Sequence, residues 1–223
     1  MTLLRISATL LAAALAVSSS YAAPGDFTVA PAGTVANTNN YPAAERPALA
    51  LEGNSGTKYL NFARLFTGYA VTLDAPAAVN SISFNTANDA PNRNPTTFSL
   101  YGSNSVTITG TEAAGTVFNL SSFSTVVENQ ATGFSGSTPQ FTNSTPTFTN
   151  STAYKTYMLV FPTVAGADNS MQIGDAVLRA AGAPVVTVNS PVVGGQLQPV
   201  PEPSSLALAG LASVGLLAFR RRR

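Results

Sequence analysis

Apolar and polar residues alternate with a period of two in several short segments: 68–73, 79–84, 97–101 and 155–161, with a further candidate at 171–178. That period sends successive side chains to opposite faces of an extended chain, so each segment reads as a half-buried strand. Clusters rich in Gly, Pro, Asn and Asp separate them, at 52–56, 74–76 and 88–95. No segment between the chain's two ends carries a sustained 3.6-residue apolar period. The pattern predicts an all-β body, a single β-sandwich or jelly roll. Residues 135–152, dominated by Ser, Thr, Asn and Pro, read as a long loop with short edge strands. Residues 182–199 mix Val, Pro, Gly and Gln and read as an extended linker.

The two ends break the pattern. At the N-terminus Arg5 precedes an apolar stretch at 6–17, and small residues follow at 18–23. This is the layout of a secretory signal peptide, residues 1–22, cut between Ala22 and Ala23. Cleavage there puts Ser20 at the −3 position; cleavage one residue later would put bulky Tyr21 there. At the C-terminus Val200, Pro201, Glu202 and Pro203 lead into an uncharged run at 204–219. Arg220, Arg221, Arg222 and Arg223 close the chain. A helix over 204–219 is about 24 Å long at ~1.5 Å per residue, short of the roughly 30 Å hydrocarbon core. Arginine side chains that reach to the interface make up the shortfall. The four arginines hold their end in the cytoplasm, so the domain ahead of them lies outside the inner membrane. Pro201 and Pro203 remove two backbone donors, which keeps the box out of the helix and extended.

A Pro-Glu-Pro box, a short apolar helix and an arginine cluster, in that order at 200–223, resemble the PEP-CTERM sorting signal of exported bacterial proteins. The resemblance implies secretion machinery, a transient inner-membrane anchor and an exosortase-type transpeptidase as partners. It implies that this enzyme cuts at the box and passes the body to the cell surface or an exopolysaccharide matrix. Taken alone, the apolar run is equally an ordinary transmembrane anchor.

Removing the end signals leaves a body of residues 23–181 and changes the charge. The whole chain carries +1 formal charge. Without Arg5 and the terminal arginines, six basic residues face ten acidic ones. No basic patch remains, so nucleic acid is not an expected partner. Only 9% of residues are charged, and solubility rests on Ser, Thr, Asn and Gly. The chain has no Cys and no His. That excludes disulfides, thiolate chemistry, Ser-His-Asp catalysis and His- or Cys-bound zinc. A pair of carboxylates is the one familiar catalytic route left open. No pair among Glu45, Glu52, Asp74, Asp89, Glu112, Glu128, Asp168 and Asp175 sits in a recognisable motif. The expected class is therefore a structural envelope protein that is not an enzyme, with a carbohydrate-binding module as the alternative. Three Asn-x-Ser/Thr sequons, at Asn119, Asn143 and Asn150, are chance matches in so Ser/Thr/Asn-rich a chain.

Within the body, the stretches 51–62, 86–103 and 171–178 resemble galactose-binding-like (discoidin-type) jelly rolls. An acidic-Gly-Asn-x-x-Thr loop precedes an aromatic strand, a "LYGS" strand follows, and a closing strand ends the set. The resemblance covers about 48–180. It implies a structural calcium held by Glu52, Asn54, Thr57 and Asp175, whose oxygen donors suit that ion. Glu52 replaces the family's usual Asp, and Asp175 its usual Glu. The competing reading is a tight Gly-rich turn with polar caps. No other cofactor is expected. Asp89 and Arg93 mark a candidate ligand loop, with an internal Arg93–Asp89 ion pair as the plainer reading. Tyr59, Phe62, Phe66, Tyr69 and Tyr101 read either as a sugar-stacking platform or, at period-two spacing, as core.

Overall fold

The computed structural model describes residues 24–35, 40–53 and 56–199. The signal peptide and the sorting segment, with its expected span at about 204–219, lie outside them. Among the described residues no helix is long and apolar enough to cross a membrane.

The body is all-β. Its strands are β1 (Pro24–Val29), β2 (Tyr59–Asn61), β3 (Thr67–Ala77), β4 (Ser81–Asn85), β5 (Pro95–Ser103), β6 (Val117–Phe118) and β7 (Ser124–Ala131). There follow β8 (Asn143–Ser144), β9 (Tyr154–Val164), β10 (Met171–Ile173), β11 (Asp175–Ala180), β12 (Ala183–Pro184) and β13 (Val192–Pro199). A seven-stranded antiparallel sheet runs β6-β1-β13-β3-β9-β5-β7. A four-stranded sheet, β12-β11-β4-β8, and the β10-β2 pair complete the sandwich.

The main core lies on one face of the large sheet. Tyr69, Val71 and Leu73 of β3 meet Leu159 and Phe161 of β9, Leu100 of β5, and Ile82, Phe84 and Leu178 of the smaller sheet. Phe84 is its hub, with ring centroids 5.2 Å from Phe98 and 6.0 Å from Phe161. A second cluster covers the other face, where Phe27, Ala70, Met158, Val160, Ile108, Val193 and Leu197 pack together. The central strands are thus buried on both sides. That explains why residues 157–161 form an unbroken apolar run rather than an alternation.

Two expectations from the sequence are corrected. Residues 171–178 are two strands in two sheets, not one. The chain changes sheets at Gly174, whose amide donates to Asn85 O at 2.9 Å. Residues 192–199 of the expected linker are not a spacer. They form β13, between β1 and β3 in the large sheet, with Leu197 at 1% and Val193 at 5% exposure. Val193 and Leu197 had no apolar alternation around them to mark a strand, because two glycines interrupt the pattern at 194 and 195. The folded body therefore runs on past residue 181 to Pro199.

Candidate functional site

Three connections meet at one end of the large sheet. They are the 62–66 turn between β2 and β3, the 86–94 loop between β4 and β5, and the 165–170 loop between β9 and β10. They converge because β3 begins at Thr67, β5 at Pro95 and β9 ends at Val164, and the register pairs Thr67 with Phe161 and Pro95 with Val164. The loops are tied together by backbone bonds. Ala165 N donates to Asn94 O at 2.9 Å, and Gly166 N to Asn92 O at 2.7 Å. Arg64 Nη2 donates to Gly166 O at 2.9 Å.

A cleft of about 530 Å³ opens here, lined by Phe62, Arg64, Phe66, Asp168, Asn169 and Gln196 among others. Arg64 and Phe66 adopt φ of 66° and 56°, a left-handed backbone that non-glycine residues rarely take. The turn holds these values because its neighbours bind it. Asn61 Oδ1 accepts from Ala63 N at 2.9 Å, Leu65 O from Gln196 Nε2 at 2.8 Å, and Phe66 O from Leu197 N at 2.9 Å. The result presents two half-buried aromatic rings, a guanidinium, a carboxylate and an amide to one opening. Arg64 Nε and Arg93 Nε are both buried without a hydrogen-bond acceptor.

The second element of this end is a charge cluster on Lys58. Its ammonium lies 2.8 Å from Asp89 Oδ1, 3.3 Å from Gln172 Oε1 and 3.4 Å from Glu45 Oε1. Lys58 is 9% exposed and Gln172 is fully buried, and Gln172 Nε2 in turn donates to the carbonyls of Asp89 and Ala90. Burial alone would raise the Asp89 carboxyl, but the Lys58 hydrogen bond and the Lys58 and Arg93 charges hold it below its ordinary value. The expected Arg93–Asp89 ion pair is therefore corrected. Asp89 pairs with Lys58, while Arg93 Nε faces Asp168 Oδ2 at 3.7 Å. A buried ammonium is costly without an anion, and Asp89 and Glu45 supply it to Lys58.

A carboxyl with a lowered value stabilises the fold above its unfolded value, near 3.9, and that contribution is lost as pH falls through the lower folded value. Thermal unfolding of Asp89→Asn should therefore show a shallower fall in midpoint below about pH 4 than wild type. The difference is small, about 2 °C, because the Asp89 side chain is 51% exposed and solvent screens it. Equal acid sensitivity of the two proteins would sink the assignment. Glu112, also lowered despite its burial by bonds from Thr109 and Gly110, contributes with the same sign in both.

The remaining sequence candidates fall elsewhere. Tyr59, Tyr69 and Tyr101 are core residues at 0%, 0% and 3% exposure, and only Phe62 and Phe66 of the aromatic set reach the cleft. Asn54 lies outside the described residues. Thr57 Oγ1 donates to Glu52 Oε2 at 2.9 Å. Asp175, at 7% exposure, shares the β11 face of Val177 and Arg179, the residues that line a cleft with Glu52. Among the described residues no group of three or more acidic side chains is placed to hold a metal ion. Arg64, Lys58 and Gln172 were missed as site residues. The one signal in sequence was Lys58, a lone cation between a Gly-rich turn and an apolar strand.

Residues 199–223 match the PEP-CTERM protein-sorting motif. No curated protein matches the chain. Among solved structures, a family 32 carbohydrate-binding module from Clostridium perfringens, in complex with galactose, is 13% identical with a TM-score of 0.42, covering 62% of this chain and 87% of that one. A chitosan-binding module from a Paenibacillus chitosanase/glucanase is 20% identical with a TM-score of 0.42, covering 62% and 88%. An F5/8 type C domain from Bacteroides fragilis is 14% identical with a TM-score of 0.35, covering 70% and 83%.

Proposed function

We propose that the protein is an exported envelope component whose tail is cut at Pro201-Glu202-Pro203 by an exosortase-type transpeptidase. The freed body then serves as a non-catalytic structural protein of the cell surface, associated with exopolysaccharide. The observation that carries the reading is the sorting motif at 199–223, on a chain whose first 22 residues have the layout of a secretory signal. The body supports a role without catalysis. It has no His or Cys. Its two neighbouring acids, Glu45 and Asp89, converge on Lys58, and Asp89 is held ionised rather than poised as an acid.

A second reading, a surface carbohydrate-binding module, is favoured by one observation. Phe62 and Phe66 flank Arg64, Asp168 and Gln196 in a single open cleft, and apolar ring faces beside hydrogen-bonding groups are what sugar rings bind. The first test is pulse-chase mass spectrometry in a host carrying an exosortase-type enzyme. Wild type should lose its tail, and Glu202→Ala should keep it. Unchanged tail removal in the variant refutes the sorting role. Co-sedimentation with the host's exopolysaccharide then separates the two readings of the body. Binding lost on Phe62→Ala marks the module, and binding indifferent to that change marks a matrix protein without a dedicated pocket.

A further inference from the structure

A separate cleft, of about 450 Å³, opens where β13 begins, lined by Tyr41, Arg46, Pro47, Val188, Ser190 and Pro191 among others. It shares no lining residue with the cleft of Phe62 and Arg64. One touches β13 at Val192 and the other at Gln196, about 13 Å apart along a strand. Its wall is held from behind. Tyr41 O accepts from Gly33 N at 2.7 Å, and the Tyr41 ring stands edge-on to the fully buried Tyr59 ring, with 6.0 Å between centroids. Tyr41 and Pro47 both press on β13 at Gly194, where an added Cβ would lie 2.6 Å from Pro47 Cγ and 3.1 Å from Tyr41 Cε1. Ser190 Oγ accepts from Thr187 N at 3.0 Å and keeps its own proton to donate.

Arg46 gives this cleft its charge. It is extended between two short 3₁₀ turns, Ala43–Glu45 and Pro47–Leu51. The adjacent acid, Glu45, lies 3.4 Å from Lys58. Every other Lys and Arg among the described residues meets an acid or a hydrogen-bond acceptor: Lys58 meets Asp89, Arg64 Gly166, Arg93 Asp168, Lys155 Asp74 and Arg179 Ser83. The exposed Arg46 side chain meets none among the described residues. No carboxylate lines its cleft, whereas Arg64 shares a cleft with Asp168 and Arg179 shares one with Glu52. An uncompensated guanidinium in a concave site is a fork for a carboxylate. The tyrosine and the two prolines offer apolar surface to a ring, and Ser190 offers a donor to a hydroxyl. We propose that this cleft binds a uronic-acid residue of an acidic polysaccharide, with its carboxylate on Arg46 and its ring against Tyr41 and Pro47. That such a chain is within reach rests on the exopolysaccharide reading above.

The test is calorimetric titration of the full chain in detergent with a galacturonate hexamer. The hexamer should bind, and its neutral methyl ester should not. Arg46→Gln should weaken binding about tenfold, the loss of one charge-assisted hydrogen bond. Arg46→Lys, which keeps the charge and loses the fork, should recover part of it. Lys155→Gln removes the same charge elsewhere, and Phe62→Ala alters the other cleft; both should bind as wild type. No binding by the wild type overturns the proposal, as does equal binding of the ester. So does an Arg46→Gln protein that binds as wild type, or one weakened no more than Lys155→Gln. Loss on Phe62→Ala alone moves the ligand to the other cleft and overturns it too. A hexaglutamate peptide bound as tightly as the sugar, with the same dependence on Arg46, overturns the choice of a sugar. Tail removal followed by mass spectrometry is read separately, so failure of the export reading and failure of this cleft are distinguishable.

Discussion

Gly68→Ala is expected to leave no cooperatively folded protein. Gly68 sits in β3 opposite Val160, at the seam with β9. A Cβ there would lie 1.9 Å from Leu159 O and 2.9 Å from Val160 Cα. These are backbone atoms of the adjacent strand, so no rotamer change relieves the clash. Relief requires moving β9 away from β3, and those two strands carry Tyr69, Val71, Leu159 and Phe161 into the main core. Gly68 O also accepts from the buried Tyr59 hydroxyl at 3.0 Å, so a shifted β3 strands a polar group as well. The cost is at least about 4 kcal/mol, the range reserved for backbone clashes and broken cores. Gly53→Ala is the contrasting control. Nothing lies within 4 Å of its Cβ, and the penalty is conformational, about 1–2 kcal/mol for its φ of 66°. Urea unfolding followed by circular dichroism reads both. A Gly68→Ala protein with a near-wild-type midpoint would mean that β3 and β9 are not spaced as described.

The second large effect concerns where the body ends. A body of residues 23–199 is expected to fold, and one of residues 23–181 is expected not to. The shorter chain lacks β13 and with it the partner of both β1 and β3. It loses Val193 and Leu197 from the second cluster and uncovers Phe27. At about 1.5–3 kcal/mol for each fully buried apolar side chain, these losses alone reach roughly 5–9 kcal/mol. That is comparable to the whole stability of a domain, about 5–15 kcal/mol. β1 would also be left with only the two-residue pairing to β6. Thermal unfolding of the two purified bodies decides the matter. A sharp transition in the shorter one would restore the linker reading of residues 182–199.

Much of the fold was legible because period-two alternation is a local property. The alternating segments at 68–73, 79–84 and 97–101 fall within or across β3, β4 and β5, and the apolar run at 157–161 lies in β9. β1, β7 and β13 escaped notice for a common reason. β13 carries two glycines, β7 is an edge strand with mostly exposed or half-exposed residues, and β1 follows closely on the apolar N-terminal stretch of the sequence. Their strand character comes from partners far along the chain: β13 pairs with residues more than a hundred positions before it. The site divides in the same way. Asp89 and Arg93 could be singled out from a stiff, polar loop. Their true partners, Lys58 and Asp168, lie on other loops, and no spacing rule connects them.

The address of this protein is written in short, contiguous stretches, because signal peptidases, membranes and sorting enzymes read chain segments rather than folds. Its lack of histidine and cysteine is likewise complete at the level of composition. What needed three dimensions was every relation between distant segments: the cleft of Phe62, Arg64 and Asp168, the burial of Lys58 against Asp89, and the clasp of β13 by β1. Those relations arise from sheet pairing and loop convergence, and such contacts have no local signature for a linear reading to find.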